Sequence, residues 1–198
     1  MTTNTLSEHF FDQNPLDKIS AAQLLYFQMI TLLDSNVDDV IYKSSVSSIN
    51  SERLTAIEEE KEHIASLNNA EDIISILRKK HDPLNNTLLC RKAIDMQQTV
   101  MPLLLKRYKT SLQDQFIEAS GCIMAHCDMQ YLEQLKELYP IIRSPYAQSV
   151  ACLVFAVQKQ TELIPLILSE YERLKRNYPK ESYAQGPLLA LYMLYDEL

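Results

Sequence analysis

Apolar and polar positions follow a helical period along most of the chain. Between Ile19 and Leu33, the residues Leu24, Leu25, Phe27, Met29, Ile30, Leu32 and Leu33 are too many for one narrow stripe. That spacing predicts a largely buried helix. Asp34-Ser35-Asn36 ends it, Val37 to Tyr42 suggests a short helix, and the serines from Ser44 to Ser48 make a polar connector. Asn50 is placed to cap a helix running to about Leu67, with Leu54, Ile57, Ile64 and Leu67 inward and Glu58, Glu59, Glu60 and Glu62 mostly outside. Asn69 then caps a helix bearing Ile73, Ile74, Ile76 and Leu77, with Asp72 three residues after the cap and Arg78, Lys79 and Lys80 at its C-terminal end. Asp82-Pro83 breaks the chain.

Beyond Pro83 the helices come in pairs. The pattern predicts Thr87–Gln97, then Thr99–Lys109 with Pro102 in its first turn, where a missing N–H is tolerated. Ser111 opens a helix reaching His126, and Asp128 opens another that Pro140 closes. Ser144 caps a helix to Val157, Thr161 starts one with Pro165 early, and the last runs from Ser182 towards Leu198. Residues 1–15 read as a polar, mobile lead-in that Phe10 and Phe11 dock onto the body. The organisation expected is therefore this lead-in plus one all-helical domain over 16–198.

The pairs echo one another. Pro102-Leu103-Leu104-Leu105 returns as Pro165-Leu166-Ile167-Leu168, and Tyr108, Tyr139 and Tyr171 mark equivalent helix ends. Ser144-Pro145-Tyr146-Ala147-Gln148 returns as Glu181-Ser182-Tyr183-Ala184-Gln185. Two helices per unit of roughly 30–40 residues is the period of helical solenoids. The first-helix prolines and leucines, with Phe116 to Ile123 and Leu188 to Leu191 in second helices, resemble a HEAT repeat over about residues 84–198. The middle unit lacks the first-helix proline, and the usual Asp/Val-Arg turn is missing. The resemblance implies a short, right-handed, HEAT-like α-solenoid of antiparallel helix pairs, preceded by acidic helices over 16–83. It also implies that second helices line a concave face. Tyr146, Gln148, Tyr183 and Gln185 would stand there as partner contacts. The alternative is that these tyrosines plug gaps between repeats.

Composition narrows the function classes. Two glycines in 198 residues leave little material for hairpins, a dinucleotide fold or a phosphate loop. Nucleophile-elbow, P-loop, Rossmann and His-Glu-x-x-His motifs are absent, so no catalytic or cofactor-binding residue is assigned. Glu60 and His63 have the Glu-x-x-His spacing of carboxylate-bridged di-iron bundles, but His9, His81 and His126 supply no second copy of that motif. Cys122 and His126 share a helical face, yet a tetrahedral site needs two more ligands. The four cysteines lie in apolar stretches and read as core residues of a reducing, cytoplasmic protein.

Net charge is −7, concentrated early: residues 1–80 hold 13 acidic and 7 basic side chains. This favours a basic partner and argues against nucleic acid. The basic clusters Lys106, Arg107, Lys109 and Arg173, Lys175, Arg176 belong to first helices, away from the expected groove. No apolar run approaches a membrane span and no signal peptide is visible. The last helix is apolar on nearly every face, which calls for a cover: a second copy of the chain or the N-terminal segment folded back. The expected activity is non-enzymatic protein–protein interaction, as an adaptor, regulator or inhibitor, and small acidic helical proteins of this kind resemble bacterial immunity proteins. A metal-binding or catalytic bundle and a helical-repeat nucleic-acid binder are the alternatives.

Overall fold

A computed structural model describes residues 8–16, 19–36 and 51–195. All regular structure among them is helical, with eleven α-helices. They are α1 (Glu8–Gln13), α2 (Ser20–Thr31), α3 (Ser51–Ser66), α4 (Ala70–Ile76), α5 (Pro83–Asp95) and α6 (Gln97–Tyr108). Then follow α7 (Asp114–Met124), α8 (Met129–Leu138), α9 (Pro145–Val157), α10 (Ile164–Asn177) and α11 (Gln185–Tyr195). The features read at 37–50, including the Asn50 cap, lie outside the described residues.

Local chemistry sets the helix starts. The Asn69 side chain accepts from the Glu71 N–H, and Ser144 Oγ accepts from the Ala147 N–H. Asp82 caps α5 at Leu84 with Pro83 in its first turn, so α5 begins four residues before the expected Thr87. A proline without an N–H is at home where that donor has no partner. Ser111 stands outside α7; its Oγ accepts from the N–H of Gln113, and Gln113 is the cap residue. Pro102 departs from expectation, since α6 starts at Gln97 and the ring falls past the first turn. The lost bond to the Gln98 carbonyl costs about 3 kcal/mol in an isolated helix. Burial of Val100, Met101, Leu104 and Leu105 on the same helix offsets it. The chain after Ile76 is no longer helical, so Lys79 and Lys80 do not close a last turn as read.

Neighbours succeed one another in two rows. α3 packs on α5, α5 on α7, α7 on α9 and α9 on α11. Beside them α4 packs on α6 and α6 on α8, while α10 packs on α11. Of the three tyrosines expected at helix ends, Tyr108 ends α6 and Tyr139 caps α8, whereas Tyr171 lies in the middle of α10; each bonds outside its own helix. Tyr108 Oη donates to the Ala147 carbonyl at 2.7 Å, Tyr139 Oη meets Cys152 Sγ at 3.4 Å, and Tyr171 Oη donates to Asn14 Oδ1.

Both glycines sit where helices approach closely. A Cβ at Gly186 would run into Ser149 Oγ and stand 2.5 Å from the Ser149 carbonyl oxygen. A Cβ at Gly121 would meet Val150 Cγ1 at 2.5 Å and Met29 Cε at 2.8 Å. With no glycine left for helix ends, α9 closes on Lys159 at φ 54°. The Gln160 N–H reaches the Phe155 carbonyl, and the Lys159 N–H reaches that of Ala156. This is the six-to-one and five-to-two bonding of a Schellman end.

The N-terminal helices fold back over the last ones. α2 lies across α7, α9 and α11. Its buried side chains Ile19, Ala22, Leu25, Met29 and Leu32 recur every three or four residues. Leu25, Met29 and Leu32 each contribute roughly 1.5–3 kcal/mol by leaving water. Two side chains take up carbonyls near its C-terminal end: Arg91 Nε donates to Leu32 O at 2.7 Å, and His126 Nε2 donates to Met29 O at 2.6 Å. The expectation of a largely buried helix is corrected here. Leu24, Phe27, Ile30 and Leu33 are 62%, 52%, 49% and 55% exposed. The lead-in expected over 1–15 contains α1. Phe10 meets Tyr171 edge-on, and Phe11 stacks near Tyr192 and Tyr195 at 4.3 and 5.0 Å between centroids. Tyr192 Oη lies 3.0 Å from the Phe11 carbonyl and 2.8 Å from that of Asn14, sharing its hydrogen between them. The folded-back N-terminus, one of the two covers expected for the apolar last helix, lies against it.

Two outcomes follow. Gly186→Ala destabilises the protein by about 1–3 kcal/mol in urea unfolding, because the added methyl meets backbone as well as side chain. A stability gain, as helix propensity alone would give, contradicts the close crossing. His126→Ala speeds amide hydrogen exchange across α2 while leaving α6 unchanged; exchange that is uniform over the chain contradicts a local pin.

Candidate functional site

The α9–α11 crossing opens at its N-terminal end into a cavity of about 260 Å³. α2 forms one wall through Ala21, Ala22 and Leu25. α9 gives Tyr146 and Ser149, and the turn into α11 gives Glu181, Ser182 and Tyr183 followed by Gln185. Asp114, in the first turn of α7, completes the rim. Three of the four residues read as partner contacts thus meet: Tyr146, Tyr183 and Gln185. Gln148 does not join them. Its Oε1 accepts from Arg173 at 2.6 Å, turned towards α10.

The reason is helical geometry. Positions two apart on a helix point nearly 200° apart, so Tyr146 and Gln148 cannot share a face. The sequence echo repeats the pair without repeating the role. Tyr183 lies in the 3₁₀ turn before α11, and Gln185 begins the helix.

The tyrosines form a chain of rings. Tyr146 and Tyr183 are 6.2 Å apart between centroids with planes tilted 38°. Tyr178 meets Tyr183 edge-on at 5.5 Å. Tyr146 Oη donates to Glu118 Oε1 at 2.5 Å, and burial first, then this carboxylate, holds its phenol well above the ordinary range. Gln185 Oε1 is shielded from water and accepts no hydrogen bond. A buried acceptor left unpaired costs about 1–3 kcal/mol.

A second cavity of about 260 Å³ lies between α2, α5 and α7. Phe27, Leu77 and Cys122 line it together with Lys79 and Glu118, so it mixes signs and polarity. Glu118 lines this cavity and binds Tyr146 of the other.

The candidates for chemistry are drawn into structural work. All four cysteines are free and buried. Burial pushes the thiols of Cys122, Cys127 and Cys152 up to about 12 from an ordinary 9.0, so they are held as thiols, the form that does not attack. His126 is hydrogen-bonded to the Met29 carbonyl. Glu60 accepts from Asn85 Nδ2 at 2.5 Å and meets His81 Nδ1 at 2.6 Å, while His63 is exposed. Among the described residues no group of three His, Cys, Asp or Glu is placed to hold a metal ion. Arg173 forks onto the buried Glu170, and Lys175 reaches Asn14 Oδ1 at 2.9 Å and Tyr171 Oη at 2.8 Å. Much of the second basic cluster is therefore tied to the fold. No helix among the described residues is long and apolar enough to cross a membrane.

Comparison with protein-family models, curated proteins and solved structures finds no match to this chain.

The raised thiols and phenols give a pH dependence. A group held above its unfolded value stabilises the fold below that value and withdraws this stability as pH rises through the folded one. For the cysteines the window runs from pH 9 to about 12, joined above pH 10 by Tyr108, Tyr139 and Tyr146, all raised chiefly by burial. Urea midpoints that fall steadily above pH 9 are expected. Midpoints flat to pH 11 contradict the buried, protonated state of these groups.

Proposed function

We propose that this protein is a non-enzymatic protein–protein interaction module. Its two rows of helices are read as a short, right-handed, HEAT-like α-solenoid with α5, α7, α9 and α11 as second helices. The succession of neighbouring contacts supports that arrangement, each second helix touching the next. Its working surface is the tyrosine cleft where α9 and α11 diverge. The observation that carries this reading is the meeting of Tyr146, Tyr183 and Gln185 from two echoed segments around one open cavity. Aromatic residues at the centre of a cleft, with a polar rim, are the usual anatomy of a contact hot spot. Binders of the adaptor, regulator or inhibitor type need no more chemistry than this. The rim carboxylates Asp114 and Glu181 favour a basic partner, and they steer its approach.

The acidic N-terminal half has two roles in this reading. α2 covers a portion of the second-helix face from within the chain and forms one wall of the cleft beside it. The remaining carboxylates of α3 extend the negative field outwards.

A photoreactive phenylalanine analogue at position 183 tests the site. It is expected to give one discrete adduct in lysate from the native host, and that adduct disappears when Asp114 and Glu181 are both changed to lysine. The same analogue at the exposed Glu137 of α8 is expected to give none. Equal labelling from both positions, or none from 183, argues against this surface.

A further inference from the structure

We propose that the α9–α11 cleft is a socket for a single arginine side chain presented by the partner. This rests on the reading of the protein as an interaction module and names what the cleft takes.

The lining selects a cation. The polar groups include the carboxylates of Asp114 and Glu181, the hydroxyls of Ser149, Ser182 and Tyr183 and the amide of Gln185; among the described residues no lysine or arginine lines the cavity. Tyr146 has already given its hydroxyl hydrogen to Glu118. What it offers a ligand is therefore its ring and its oxygen lone pairs. Gln185 carries a shielded Oε1 with no donor. A ligand that brings hydrogens and positive charge suits the two carboxylates, the ring and the shielded acceptor together; an anion finds donors only in hydroxyls and the Gln185 amide and meets two carboxylates.

Size points to one side chain. At about 260 Å³ the cavity falls below the roughly 300–1,000 Å³ usual for free small-molecule pockets. Its walls come from α2, α7, α9 and the turn before α11, so acceptors stand on several sides of the opening. A guanidinium carries five donors in a plane, is weakly hydrated and stacks on aromatic faces. An ammonium is a compact, strongly hydrated charge that serves a single cluster of acceptors better. The pair of tilted rings 6.2 Å apart adds a π-surface that favours the planar cation.

The test uses the full chain, labelled with nitrogen-15, and the peptide acetyl-Gly-Arg-Gly-amide. Its lysine and citrulline counterparts serve as comparisons; citrulline keeps the shape and loses the charge. The expected result is saturable shifts of the Gly186 amide and the Gln185 side-chain amide with the arginine peptide. Binding of the citrulline peptide is expected to be at least about tenfold weaker, in keeping with the loss of a cation–π and charge-assisted contact. The Asp114→Asn, Glu181→Gln double variant is expected to bind the arginine peptide about five- to tenfold more weakly with its unfolding temperature unchanged. Absence of saturable shifts, or equal shifts with citrulline, overturns the socket. Equal or tighter binding of the lysine peptide overturns the choice of arginine. If the cross-link at position 183 persists while the arginine peptide fails, the socket alone falls; if both fail, the interaction surface falls with it.

Discussion

The approach of α9 to α11 at Ser149 and Gly186 governs the rest of the C-terminal architecture. With no Cβ at Gly186, the two helices come close enough for Ser149 to rest against the α11 backbone. A side chain there would push α11 outwards. The rings of Tyr146 and Tyr183 would then separate, and the cavity between them would lose its far wall. Gly121 serves likewise in α7, letting Val150 and the tip of Met29 sit against that helix. A chain with only two glycines uses both at helix crossings, and it accepts a left-handed lysine at a helix end instead.

This close packing explains how an uncharged helix such as α2 finds its place. α7, α9 and α11, held at short spacing, offer it a continuous apolar bed. Ile19, Ala22, Leu25, Met29 and Leu32 match that bed at heptad-like intervals. The carbonyls of Met29 and Leu32 are then taken up by His126 and Arg91, which orient the C-terminal end. The opposite stripe, from Leu24 to Leu33, is left outside because one helix cannot present two faces to one bed.

The residues that looked most chemical are those the fold uses to join its elements. Glu60 and His81 link α3 to the turn before α5, Lys175 and Tyr171 hold the chain after α1, and His126 holds α2. Each is hydrogen-bonded to a group from a segment distant in sequence. Buried polar groups need such partners, and a chain of amphipathic helices must find them between helices. The cleft at Tyr146 and Tyr183 differs in that its acceptors face an opening.

By itself, the sequence determined the helical class, most helix limits to within a few residues and the inward stripe of most helices, though not that of α2. Those properties come from local capping and from a period of 3.6 residues, both written in short windows. The helix-end positions of Tyr108 and Tyr139 were legible for the same reason, while Tyr171 falls in the middle of α10. Tertiary structure alone decided that Gln148 turns to Arg173 while Gln185 turns to the cleft, and that Pro102 sits past the first turn of α6. It alone also decided that the N-terminal helices cover the last ones. These outcomes depend on contacts between residues far apart along the chain, and no local window carries the distance between two helices.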